Sequence, residues 1–116
     1  MATFSKVRLS ESVNGLGVLV VATATLGTTI HTAHATAQDE IWLYATNSHS
    51  AAVTVTVELG GVAAKDRLVQ SIAVNPSGMV LLNPGGSVLT GSVVVTAFAG
   101  TANVIGIHGS VNRITA

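Results

Sequence analysis

The sequence contains no cysteine, so disulfides, thiolate nucleophiles and thiolate metal sites are excluded. Aromatic residues make up 3% and charged residues 9% of the 116 positions, against roughly 25% charge in an average domain. Five basic and five acidic side chains balance to a net charge of zero. A protein held on nucleic acid by phosphate contacts commonly makes about 6–10 of them. Lys6, Arg8, Lys65, Arg67 and Arg113 are scattered and matched by acids, so no basic face and no nucleic-acid partner are expected.

What is present is apolar and small. The hydrophobic fraction is 48%, and Thr, Ser, Ala and Gly must cover most of the surface. Such a surface is nearly neutral and loses little when desolvated, which favours burial against other proteins. The length suits one domain with a real core.

The N-terminal third has features of a leader. Lys6 and Arg8 precede the apolar run from Gly15 to Gly27, and Ala33-His34-Ala35 resembles a cleavage site. The run is rich in Thr and Gly, however, and Glu11 stands just ahead of it. A membrane-crossing helix needs about 20 mainly apolar residues, and Thr, Gly and Val make this stretch a poor helix. It reads as two strands, Leu16 to Ala22 and Leu26 to Ala33, and no membrane partner is expected.

Alternation with a period of two dominates the rest. Val53, Val55, Val57 and Leu59 point one way, and Thr54, Thr56 and Glu58 the other. Glu40 to Asn47 is apolar on both faces, with Trp42 and Tyr44 sharing one of them. The short loop Ser48-His49-Ser50 between these strands predicts an antiparallel hairpin. Arg67 to Asn75, Met79 to Leu82, Ser92 to Ala99 and Val104 to Ile114 supply further strands. Asn75-Pro76-Ser77-Gly78 and Asn83-Pro84-Gly85-Gly86 read as turns. The expectation is an all-β, antiparallel β-sandwich or jelly roll of about eight strands over residues 15–116, preceded by an N-terminal arm over residues 1–14.

Little in the chain suggests chemistry. Asp39 and Glu40 are adjacent, so they point to opposite faces of a strand and cannot share a proton. Glu58 falls on the polar face of its strand. His31 and His34 also fall on opposite faces, which suits no single metal. His31 and His108 each follow an Ile, and their outward parity would let them meet around a symmetry axis. There is no G-x-S-x-G elbow and no phosphate loop. Gly60-Gly61 and Gly85-Gly86 read as turns. Trp42 and Tyr44 suit buried packing, at a core or a subunit contact, better than a sugar platform. No catalytic residue, cofactor or metal is expected.

The segments Gly27 to Ala33, Asp39 to Asn47, Val53 to Gly61 and Ile107-His108-Gly109-Ser110-Val111-Asn112-Arg113-Ile114 carry a resemblance. Over residues 27–114 the chain resembles the small β-sandwich virion proteins of tailed bacteriophages, the capsid decoration or cement type. That resemblance implies a non-enzymatic homotrimer on the capsid surface of the virion, bound to the major capsid protein. Expected contact residues are Phe4, Val7 and Leu9 of the arm, Trp42 and Tyr44 of the outward face, and Arg113 of the last strand. The alternatives are another virion part, such as a head–tail connector, tail or fibre-anchoring module, and a carbohydrate or host-surface binding module.

Overall fold

Antiparallel strands fill a computed structural model that describes residues 2–83 and 86–115. Ten strands are found among the described residues: β1 (Thr3–Arg8), β2 (Val18–Leu19), β3 (Thr28–Thr32), β4 (Gln38–Asn47), β5 (Val53–Leu59), β6 (Arg67–Val74), β7 (Met79–Leu81), β8 (Ser87–Leu89), β9 (Val94–Ala99) and β10 (Ile105–Thr115). The larger sheet runs β1-β10-β4-β7, with β2 also on β10 and β8 also on β4. The smaller sheet runs β3-β9-β5-β6. The chain is an all-β sandwich, as its alternation predicts.

The core lies between the sheets. Ile41, Leu43, Ala45, Ile105, Ile107 and Val111 from the larger sheet meet Val53, Val55, Val57, Val95, Ala97 and Ile30 from the smaller one. Each fully buried Val, Leu or Ile contributes about 1.5–3 kcal/mol. These positions alternate with exposed or half-buried ones along β4, β9 and β10, which is the period of two seen in the sequence.

Two expectations fail. The first concerns the arm expected over residues 1–14, whose described part, residues 2–14, is not detached. All of Thr3–Arg8 pairs with β10 in unbroken register, from Thr3 opposite Thr115 to Arg8 opposite Ser110, and Leu9 enters the core. The second concerns β4 and β5, which form no hairpin and lie in different sheets. Asn47 turns the chain across the sandwich. Its buried amide donates to the carbonyls of Ala51 and Val74 at 3.0 and 2.9 Å and accepts the His49 N–H at 2.8 Å. The inner faces of β4 and β5 then oppose each other instead of lying side by side.

The turn at Asn75 to Gly78 is present, with the Gly78 N–H on the Asn75 carbonyl at 2.9 Å. In the second proposed turn, the Gly86 N–H reaches the Asn83 carbonyl at 2.9 Å, while Pro84 and Gly85 lie outside the described residues. Asn83 itself fills a gap in the ladder. β8 pairs with residues 39–41 of β4 and β7 with residues 44–46, and between them the Leu43 carbonyl takes the Leu82 N–H at 2.9 Å, which leaves the Ile41 carbonyl and the Leu43 N–H for a side chain to satisfy. The buried Asn83 amide bridges it, accepting the Leu43 N–H at 2.7 Å and donating to the Ile41 carbonyl at 2.8 Å. Asn83→Ala orphans both groups and is expected to cost about 2 kcal/mol, read as a lower urea midpoint with an unchanged m-value.

Candidate functional site

The outer face of the larger sheet is where unusual side chains gather. Residues opposite one another in an antiparallel pair share a face. Across the strands, Leu19, Gly106, Thr46 and Met79 form one row. His108, Tyr44 and Leu81 form the next. Arg8, Ser110 and Trp42 follow, then Lys6, Asn112, Glu40 and Val88, and finally Phe4, Ile114 and Gln38.

One half of this face is apolar and open. Met79 is 65% exposed, and Leu19 and Leu81 are each 51% exposed. Leu81 and Met79 lie beside half-buried Tyr44, and Leu19 lies on the far side of β10; the Tyr44 ring stacks on His108 with centroids 5.1 Å apart and planes within 10°. The Gly17 backbone covers the His108 ring so closely that an added Cβ would lie 2.6 Å from its Cε1. Thr46 Oγ1 and His108 Nε2 are 3.2 Å apart. Trp42 donates its indole N–H to Glu40 at 3.2 Å, and Gly86 lies against its ring. The Tyr44–His108 pair is therefore fixed in place, with exposed Leu81, Met79 and Leu19 around it.

Inside the sandwich lies a polar network that sequence parity does not reveal. Asp39, fully buried, accepts Arg113 Nε on Oδ1 at 2.7 Å and Arg113 Nη2 on Oδ2 at 3.0 Å. Its Oδ2 also takes His31 Nε2–H at 2.9 Å and the His34 N–H at 3.1 Å. His31 Nδ1 accepts the Ser10 N–H at 2.9 Å, which fixes the neutral tautomer with its proton on Nε2. Both ring nitrogens are committed, and Ser10 Oγ accepts the Thr32 N–H at 2.7 Å. The Ser, His and Asp here tie together β3, β4, β10 and the segment after β1, and no ring nitrogen is left to serve as a base.

Burial raises the Asp39 pKa, but hydrogen bonds from Arg113, His31 and the His34 backbone outweigh it and hold the carboxyl at about 2. A second buried acid, Glu58, accepts Arg67 Nε at 3.2 Å and the Thr25 hydroxyl at 3.3 Å. It is on the outer face of β5 yet covered, not solvated.

The contact residues expected from sequence separate into three groups. Phe4 is 64% exposed and shares the outer face with Trp42 and Tyr44. Val7 packs against the core and Leu9 is buried in it, so neither side chain stands on the outer face: the β1–β10 pairing turns Val7 inward, opposite Val111. Arg113 points inward to Asp39. His31 and His108 cannot meet on an axis, because His31 is buried between the sheets and His108 lies outside. A register shift between Thr29 and His31 puts both Ile30 and His31 inside. Met79, Leu81 and Leu19 were not among the expected contacts, although short strands ending in exposed Leu or Met were the available signal. Among the described residues no three His, Asp or Glu side chains are placed to hold a metal, and no helix is long and apolar enough to cross a membrane. Comparison with family models, curated proteins and solved structures gives no match.

Proposed function

We propose that this chain is a structural protein of a virus particle, a capsid decoration protein that assembles as a homotrimer and seats on the major capsid protein. The observation that carries this reading is the weakly polar half-face on which exposed Leu19, Leu81 and Met79 surround Gly106, Thr46, His108 and Tyr44, on a chain with only 9% charged residues. Exposed apolar patches on a folded protein mark interaction sites. A rigid aromatic pair at the centre, rimmed by exposed aliphatic side chains, has the make-up of an interface core. The committed nitrogens of His31 favour contact over catalysis. The resemblance of residues 27–114 to phage virion proteins supplies the particle.

Cryo-EM of the intact particle tests the proposal. Density for this chain is expected on the outer shell around the capsid subunits, and density only at the tail would overturn it. A double substitution, Met79→Asp with Leu81→Asp, puts two charges on the patch without touching the core. Such a variant is expected to fold normally yet lose at least tenfold in co-sedimentation with capsids stripped of the protein. Retention equal to the parent protein would remove the patch from the contact.

A further inference from the structure

A β-sandwich has four sheet edges, and open edges invite further strands. Three of them are blunted here. The edge at β3 is covered by the segment after β1: the Glu11 N–H bonds the Ile30 carbonyl at 3.3 Å and the Thr32 N–H bonds Ser10 Oγ at 2.7 Å. β6 is irregular, with two register shifts against β5 and a positive φ at Ser71. The edge made by β7 and β8 consists of two three-residue strands separated by Asn83.

β1 is different. Its six residues run in continuous register along β10 and pair with no other strand, so alternate backbone N–H and C=O groups face outward. A cleft of about 390 Å³ runs beside it, lined by Lys6, Val7, Arg8, Leu9, Ser10 and Ser12. Phe4, Lys6 and Arg8 share the strand's outer face. Lys65, Arg67 and Arg113 are paired with Asp66, Glu58 and Asp39, whereas among the described residues Lys6 and Arg8 have no acidic partner.

These charges select the occupant. A second copy of β1 in the central register that keeps the outer faces aligned sets Lys6 opposite Lys6 and Phe4 opposite Arg8, and like charges directly opposed are unfavourable. This chain has no free acidic strand to offer instead: Asp39, Glu58 and Asp66 are engaged, and Glu11 and Glu40 do not lie on an open edge. We infer that β1 is a docking edge for an extended acidic segment of a different protein, which adds as an antiparallel strand and sets carboxylates opposite Lys6 and Arg8. Backbone hydrogen bonds supply the affinity, and alternate side chains the selectivity. The inference rests on the proposed particle role only for which protein supplies the segment.

Fluorescence anisotropy with a labelled synthetic peptide alternating Glu with Thr and Val tests it on the isolated full chain. Saturable binding is expected, weakened about tenfold by Lys6→Glu with Arg8→Glu. In that variant, a peptide carrying Lys in place of Glu is expected to bind instead. Amide exchange should slow in Thr3–Arg8 when the acidic peptide is present. Absence of binding at millimolar peptide, equal affinity for the Glu and Lys peptides, or protection confined to other strands would each overturn the inference. Capsid co-sedimentation separates it from the function: failure to bind the peptide by a protein that still decorates capsids sinks only the docking edge, and peptide binding by a protein absent from particles sinks only the particle role.

Discussion

Replacing Asp39 with alanine is expected to cost about 3–5 kcal/mol of folding stability, the range for breaking a buried ion pair by removing one partner. Three donors lose their acceptor at once: the Arg113 guanidinium, His31 Nε2–H and the His34 N–H. The Arg113 side chain is only 26% exposed, so its charge loses its partner with little water to replace it, and the His31 ring is enclosed on all sides. Urea denaturation followed by far-UV circular dichroism measures the loss, and a change below about 1 kcal/mol would show that these contacts do not tie the sheets together. Asp39→Asn keeps the shape and some acceptor capacity, and should fall between the two. The same carboxylate shapes the response to acid. Its pKa is about 2 in the folded protein against 3.8 as the ordinary value. A lowered folded-state pKa gives stability that is present in full above pH ~4 and disappears as the pH falls through about 2, an amount near 2 kcal/mol. Asp39→Asn is expected to flatten stability across that window, and an unchanged acid slope would assign it to other carboxylates.

The fold class was legible because alternation is a local property. Val53 to Leu59 and Ile105 to Thr115 can bury one face only as strands, and the structure places them so. What alternation cannot specify is which strand lies beside which. A hairpin of β4 and β5 and a crossing between sheets bury the same residues, and the choice rests on the three hydrogen bonds of the Asn47 side chain. The polar network was illegible for a related reason. Parity assigns His31 to the outside if β3 is regular, and the irregularity beside Ile30 reverses that assignment. In the sequence Thr3 to Arg8 looks like an arm because it mixes polar and charged residues, which is also what an exposed edge strand needs. On the candidate surface, Trp42 and Tyr44 stood out by residue type. Their neighbours Leu19, Leu81 and Met79 reach them only through pairings between segments far apart in sequence.

A single added methyl group at Gly109 is expected to lower stability by about 3 kcal/mol, near the upper end of ordinary overpacking costs. Gly109 pairs with Leu43 at the centre of the larger sheet. A Cβ there would collide with the Trp42 carbonyl oxygen, and it would also sit 3.0 Å from that carbonyl carbon and 3.2 Å from Leu43 Cα. All three neighbours are backbone, so no rotamer relieves the clash and β10 must move away from β4. Gly109→Ala should therefore lower the melting temperature by more than about 10 °C, and a loss of only a few degrees would show that the ladder yields easily. Gly106, three residues earlier and on the opposite face, is the contrast. A Cβ there meets the ends of the Thr46 and His108 side chains, at 3.1 and 3.2 Å, so a shift of a few tenths of an ångström in side chains, and none in backbone, accommodates it. Gly106→Ala is expected to change stability by less than about 1 kcal/mol. Because it fills the row between Leu19 and Thr46, the proposed capsid role predicts that its effect appears in capsid co-sedimentation instead. The two glycines thus separate what holds the sheet together from what shapes its outer face.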